Sequence, residues 1–175
     1  MADVEAIDRL VAHEEIRQLA ARYAIAMDRR DFDAVAMLFV PDVQIGRDTF
    51  GRDALRASMA AQMTEMRVTI LNVGTHQIDL VDEHSATGHV YCKGELHHVD
   101  AAGASRWIHQ AIRYDDDYAC VDGSWLFVRR RHQLFYGAEV GTDPSVLPPA
   151  NWPEHHAGLG TLPYSEPTWQ EFHGQ

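Results

Sequence analysis

Several features are scarce in this chain of 175 residues. It contains two cysteines and a single lysine. No apolar run approaches the roughly 20 residues that a membrane-spanning helix needs. No apolar segment that resembles a secretion signal precedes Asp3. We therefore expect a soluble, cytoplasmic protein that makes no contact with a membrane.

The chain also has few positively charged residues. The chain has 15 basic and 26 acidic residues, which gives a net charge of −11 at pH 7. Its basic residues, 14 of which are arginine, form no extended block. Because nucleic acids and anionic membranes are bound by clustered cations, this distribution argues against both as partners.

Motifs for metal or cofactor chemistry are missing as well. The sequence has neither an HExxH motif nor a Cys-x2-Cys pair. The histidine pairs at 97–98 and 155–156 would place neighbouring side chains on opposite sides of an extended chain, which is poor geometry for joint ligation. Neither a Gly-x-Ser-x-Gly elbow nor a glycine-rich phosphate loop is present. We expect no metal and no organic cofactor.

Helical periodicity dominates the first third of the chain. Apolar residues recur at helical spacing over residues 3–27, either as one helix or as two that divide near His13. The pattern next predicts a helix over 32–39, a short strand over 43–45 and another helical stretch over 51–66. This length of chain fits one domain with a core large enough to surround a pocket.

The periodicity then changes to that of strands. Residues 67–82, 86–99, 105–119 and 124–136 are predicted strands, with turn sequences between them. Helices followed by an antiparallel meander indicate an α+β fold, in which N-terminal helices pack into a strongly curved antiparallel sheet. The predicted domain spans residues 1–136.

The last part of the chain, residues 137–175, differs in composition. It carries six of the seven prolines, together with Trp152, Tyr164, Trp169 and Phe172. Proline favours an extended path, and the aromatic rings can serve as anchors. We predict an extended tail that packs on the domain or on a neighbouring subunit. A lid over a cavity mouth is the alternative.

Asp28 stands where helix physics argues against a carboxylate. It lies at the end of the first helix, whose dipole favours cations there. Three and four residues earlier are Ile25 and Ala24, so Asp28 shares an apolar helix face. Desolvation and the dipole should both raise the pKa of Asp28, which makes it a candidate general base. A solvated helix end is the alternative, whereas Asp31 is readily explained as the N-cap of the next helix.

Three motifs suggest a family. They are Tyr-x4-Asp-x2-Asp from Tyr23, Leu-Phe-x-Pro-Asp-Val from Leu38, and Asp-Gly-x-Trp from Asp122. With the order of helices and strands, they resemble the SnoaL-like branch of the nuclear transport factor 2-like superfamily over residues 5 to about 136. The resemblance implies a cone-shaped α+β barrel around a mostly apolar cavity. It also implies homo-oligomers, either dimers or trimers, and functions that range from cofactor-free enzymes to binding modules.

The resemblance also implies site residues. In the family's dehydratases and dehydrochlorinases, an aspartate near the end of the first helix orients a histidine that abstracts a proton. Asp28 matches that aspartate, Tyr23 matches a catalytic phenol, and Arg130 matches a last-strand arginine. The family histidine corresponds to Leu71, which cannot accept a proton, and a shift of one residue offers only Asn72.

Another histidine could take over this role. Side chains alternate along a strand, so one of His97 and His98 should face the cavity, and we assign His97. His76 near the rim is a second candidate. Trp107 and His109 should lie on the opposite face, outside the cone or at a subunit contact. The expected walls of the cavity are Met27, Leu71, Asn72, Ile112 and Tyr114.

Two functions are compatible with this pattern. The first is a cofactor-free lyase or isomerase that abstracts a proton from a small hydrophobic ring substrate. Asp28 would act as the base or orient His97, while Tyr23 and Arg130 would stabilise negative charge. The second is a ligand-binding or assembly module that kept the cone and lost the chemistry, which Leu71 favours. We favour the enzyme.

Overall fold

The computed structural model describes residues 2–150, 162, 164 and 166–174. Helices come first and strands follow, as expected of the predicted α+β class. The helices and strands are α1 (Ala2–Arg29), α2 (Phe32–Met37), α3 (Arg52–Gln62), β1 (Met66–Leu80), β2 (Ser85–Val99), β3 (Ser105–Val121), β4 (Ser124–Glu139) and α4 (Pro167–His173).

Helix α1 is continuous, so the alternative of two helices that divide near His13 is wrong. Neither glycine nor proline interrupts its sequence, and the helix therefore runs through this position. Its second half buries a stripe at helical spacing against the sheet, formed by Ile16, Leu19, Ala20, Tyr23 and Met27. Among the described helices, none combines the length and the apolar character that crossing a bilayer requires.

Arg30 shapes the end of α1. Its φ of 61° lies in the left-handed region, which is uncommon for a residue other than glycine. The buried guanidinium compensates for this by donating to the carbonyl oxygens of Met27 at 2.6 Å and Met66 at 2.7 Å. It thereby ties α1 to the start of β1. The next residue, Asp31, accepts from the backbone N–H of Ala34 at 2.9 Å, which confirms its predicted role as an N-cap.

The four strands form one antiparallel sheet in the order β1-β2-β3-β4. Their ends agree with the prediction to within three residues. Register shifts in β1 and β4 mark bulges, which bend and twist a sheet. The helices pack into the inner face of this curved sheet, and the core lies between the two layers.

Two local predictions do not hold. The helix expected over 51–66 ends at Gln62, because the chain turns there to enter β1. The strand expected over 43–45 is reduced to a single bridge between Gln44 and Phe50, since no neighbouring strand is available to pair with it.

The end of the chain returns to the start of the domain. Residues 167–173 form helix α4 where the proline content suggested an extended path. Trp169 is 2% exposed and donates its Nε1–H to the carbonyl oxygen of Arg67 at 2.6 Å. Phe172 packs edge-on against Phe32, with ring centroids 5.1 Å apart. Trp152 lies outside the described residues.

Helix α4 should contribute substantially to stability through Trp169. We expect Trp169→Ala to lower the free energy of unfolding by about 3–5 kcal/mol, because it removes a large buried ring and leaves a cavity. Val81→Ala is the control, since Val81 is 67% exposed and should change stability by less than about 0.5 kcal/mol. Urea unfolding followed by circular dichroism measures both values. If Trp169→Ala were as stable as the wild type, α4 would not hold the fold together.

Candidate functional site

A cavity of about 480 Å³ lies between the inner face of the sheet and the helices. This volume suits a small organic molecule. Most of its lining is apolar, with side chains from α1, α3 and all four strands. The polar groups in its wall include Tyr23, Gln110, Tyr114, Arg130 and His132.

The predicted walls of the cavity are placed by strand alternation. Met27, Leu71, Ile112 and Tyr114 all line the cavity. Asn72 does not, and its assignment to the wall is corrected. It follows Leu71 directly on β1, so its side chain points to the other face of the sheet, where it is exposed.

Arg130 is held in place on several sides. Its Nε and Nη2 donate to the two carboxylate oxygens of Asp116 at 2.9 and 2.8 Å. The side chains of the pair are only 4% and 0% exposed. Three aromatic rings lie within cation–π distance of the guanidinium carbon, Tyr23 and Phe127 at 4.5 Å and Tyr114 at 4.2 Å. The charge is therefore fixed in position at the cavity wall.

A second layer of contacts supports Asp116. The hydroxyl of Tyr118 donates to Asp116 at 2.9 Å, and it lies 3.0 Å from Nε2 of His76. Since the hydroxyl hydrogen is used on Asp116, His76 must donate to the Tyr118 oxygen. Burial is the main cause that lowers the pKa of His76 to about 4, so the imidazole is neutral. Gly88 makes room here, because a Cβ would lie 3.1 Å from the Tyr118 ring.

Three hydrogen-bond donors belong to side chains of the cavity wall. In the described part of the chain, no hydrogen bond occupies Nη1 of Arg130 or the hydroxyls of Tyr23 and Tyr114, and all three residues line the cavity. Burial raises the pKa of both phenols, which keeps their hydrogens in place. The three donors can bind an oxygen atom of a ligand.

Asp28 lies one layer behind the cavity wall. Its carboxylate accepts from the Thr69 hydroxyl at 3.0 Å and from the backbone N–H of Leu71 at 3.1 Å. Arg30 donates to the same Thr69 hydroxyl at 2.7 Å. Burial raises the pKa of Asp28 to about 6, against the opposing effect of these hydrogen bonds, which confirms the predicted elevation. Thr69, Leu71 and Met27 line the cavity, whereas Asp28 does not.

His97 does not face the cavity, and its assignment is corrected. Leu96 occupies the inward position on β2, so His97 points to the outer face. There its Nε2 lies 2.9 Å from the Ser105 hydroxyl and its ring packs near Trp107. Trp107 is itself only 2% exposed, because its own chain covers it, and it therefore presents no free surface to a subunit.

His132 lines the cavity and was not among the residues predicted from the sequence. It lies on β4 two residues after Arg130, and both side chains line the cavity. It pairs with Tyr114 across the sheet, with the two ring centroids 5.6 Å apart. The period of two along a strand, counted from Arg130, could have identified it.

The comparisons agree with this architecture. The family profile described as the SnoaL-like domain matches residues 8–131. The chain therefore belongs to the SnoaL-like family. Uncharacterized proteins of Mycobacterium tuberculosis and Mycobacterium bovis are each 28% identical over 130 residues, which cover 72% of this chain and 84% of theirs.

Solved structures share the fold. A candidate scytalone dehydratase of Novosphingobium aromaticivorans superimposes with a TM-score of 0.65 at 23% identity, covering 82% of this chain and 94% of that one. The hexachlorocyclohexane dehydrochlorinase LinA-type3 of Novosphingobium barchaimii gives a TM-score of 0.70 at 18% identity, covering 82% and 99%. These likenesses show that the chain shares the cone-shaped α+β fold of those proteins.

The neighbouring residues Asp116 and Asp117 allow a matched test of the buried pair. Asp116→Ala should lower the free energy of unfolding by about 3–5 kcal/mol, because it leaves the buried charge of Arg130 uncompensated. Asp117 pairs with Arg129 at the surface, where the side chains are 34% and 54% exposed. Asp117→Ala should therefore cost at most about 1 kcal/mol. Urea unfolding at pH 7 compares the two, and similar losses would contradict the assigned importance of Asp116.

The raised pKa of Asp28 predicts a pH dependence of stability. Folding raises this pKa from 3.8 to about 6, so the protonated carboxyl is favoured in the folded state. The contribution of Asp28 is fully present below pH 3.8 and is lost as pH rises through about 6. Compared with Asp28→Asn, the wild type should therefore lose stability between pH 4 and pH 7. Urea unfolding across this range measures the difference, and a constant difference would contradict the shift.

Proposed function

We propose that this protein is a cofactor-free lyase or isomerase, of the dehydratase or cyclase type, that acts on a small hydrophobic ring substrate. One observation carries the proposal. Arg130, Tyr23 and Tyr114 line a mostly apolar cavity, and within the described residues no hydrogen bond occupies Nη1 of Arg130 or the two phenol hydroxyls. Donors fixed in a water-poor site stabilise charge that develops during a reaction, without reorganising at that moment.

The chemistry follows from these donors. Removing a proton from a carbon next to a carbonyl group places negative charge on the carbonyl oxygen. That oxygen can bind Nη1 of Arg130 and a phenol at once. Elimination of a group from the neighbouring carbon, or return of the proton to another carbon, completes the reaction. Neither route needs an oxidant or a reductant.

The fold neighbours support this class. One is named as a candidate dehydratase and the other as a dehydrochlorinase, and both names denote an elimination. In the proposed reaction Asp28 is a positioning residue. Through its hydrogen bonds to Thr69 and Leu71 it holds two residues of the cavity wall in place.

The alternative is a ligand-binding or assembly module. It is favoured by Leu71 at the family's histidine position and by the internal donors that already occupy Asp28. A small hydrophobic molecule would be the ligand in either case. Exposed apolar side chains on β4 support the expected homo-oligomer, namely Leu134, Phe135 and Tyr136.

Deuterium exchange tests the enzyme without knowledge of the natural substrate. The probe is 2-tetralone, a ring ketone with acidic hydrogens next to its carbonyl group. In D₂O without added cofactor, the wild type should speed deuterium uptake, measured by mass spectrometry. Tyr23→Phe and Tyr114→Phe should each slow this exchange by about 10²-fold, because each removes one oxyanion donor.

Tyr91→Phe is the matched control, because Tyr91 is 47% exposed and does not line the cavity. Its exchange rate should equal that of the wild type. Calorimetric binding of 2-tetralone to a wild type that does not exchange it would support the binding module. Full exchange in both cavity variants would contradict the role of the phenols.

A further inference from the structure

We propose that His132 is the catalytic residue that accepts the proton, in place of the histidine that Leu71 replaces. This inference rests on the proposed function and identifies its general base. It moves the base from β1, where the family carries it, to the last strand of the sheet.

The position of His132 supports this role. Arg130 and His132 are two residues apart on β4, and both reach the cavity. The imidazole meets the Tyr114 ring edge-on, at an interplanar angle of 73°. A ring ketone whose oxygen binds Arg130 and Tyr114 would therefore present a neighbouring carbon close to His132.

The other candidate bases are committed elsewhere. His76 donates to Tyr118, and His97 lies on the outer face beside Ser105. His98 lies 3.0 Å from the carboxylate of Glu65. Within the described residues, no other histidine and no aspartate, glutamate or cysteine lines the cavity. No hydrogen-bond partner from another described residue occupies the His132 ring.

The protonation state also fits. Burial lowers the pKa of His132 below its usual value, so that the imidazole is neutral at pH 7 and has a free lone pair. Among the described residues, the charged side chains of the cavity lining are Arg129 and Arg130, both cations. The carboxylate of Asp116 accepts hydrogen bonds from Nε and Nη2 of Arg130. The protonated form of His132 would thus be favoured mainly once the substrate becomes an enolate anion.

The proposed step balances without any further reactant. A ring nitrogen of His132 takes the proton, and the C–H electron pair becomes the C=C bond of the enolate. The carbonyl π electrons move to the oxygen, which Arg130 and the phenols hold. The imidazolium then returns the proton, either to a leaving hydroxyl, which departs as water, or to another carbon of the ring.

The test uses the exchange of 2-tetralone in D₂O with the full-length protein. His132→Gln should slow exchange by about 10²–10⁴-fold, the usual contribution of a general base. Added imidazole should restore part of the rate in this variant, because a free base can occupy the vacated space. A residue with only a structural role would not respond to imidazole. Because His132 is not part of the buried core, the variant should fold normally.

His109→Gln is the matched control. His109 lies on the outer face, where its side chain is 50% exposed beside Glu95. Its exchange rate should stay at the wild-type level, without a response to imidazole. Binding of 2-tetralone, measured by calorimetry, should be nearly unchanged in both variants.

The outcomes separate this inference from the proposed function. Exchange by the wild type that persists in His132→Gln would overturn the role of His132 while leaving the enzyme intact. A slowed variant that imidazole cannot rescue would also overturn it. Absence of exchange in the wild type would overturn both the enzyme and its base.

Discussion

The buried ion pair between Arg130 and Asp116 is the interaction on which the site depends. Removing a guanidinium from water costs several kcal/mol unless a partner compensates for its charge. Asp116 supplies that partner through two hydrogen bonds, and the rings of Tyr23, Tyr114 and Phe127 enclose the guanidinium. The remaining nitrogen, Nη1, has no hydrogen bond to another described residue, and Arg130 lines the cavity. The same rings build the core, so packing and chemistry share one set of side chains.

This arrangement requires contacts between distant parts of the chain. Tyr118 and His76 support Asp116 from β3 and β1, and Gly88 on β2 leaves the space that Tyr118 occupies. At the C-terminal end of α1, Arg30 and Asp28 both form a hydrogen bond with the hydroxyl of Thr69. The contact of Arg130 with Tyr23 and the bonds of Asp28 and Arg30 to Thr69 join helix α1 to the strands around the cavity. The cone is therefore stabilised by polar contacts as well as by its apolar core.

The resemblance to the family predicts only part of a catalytic set in this chain. By that resemblance, Tyr23, Asp28 and Arg130 would correspond to site residues and Leu71 to the histidine, and in the structure Asp28 accepts from the backbone N–H of Leu71. The inward side of β4 offers His132 instead. In the proposed reaction, a base on β4 would lie beside the oxyanion donors, whereas one on β1 would lie beside Asp28. The geometry thus favours a different division of roles within the same cavity.

Much of the fold could be predicted from local patterns, because strand alternation and helix periodicity depend on near neighbours. The four strands, the N-cap at Asp31 and the raised pKa of Asp28 follow from such patterns. The faces of His97 and Asn72 could not be predicted reliably, since a shift of one residue in a strand exchanges its two faces. The partners of Arg130 and the side chains that surround His132 were decided by tertiary structure alone. They depend on side chains brought together from α1, β3 and β4, and no local pattern in the sequence encodes those distances.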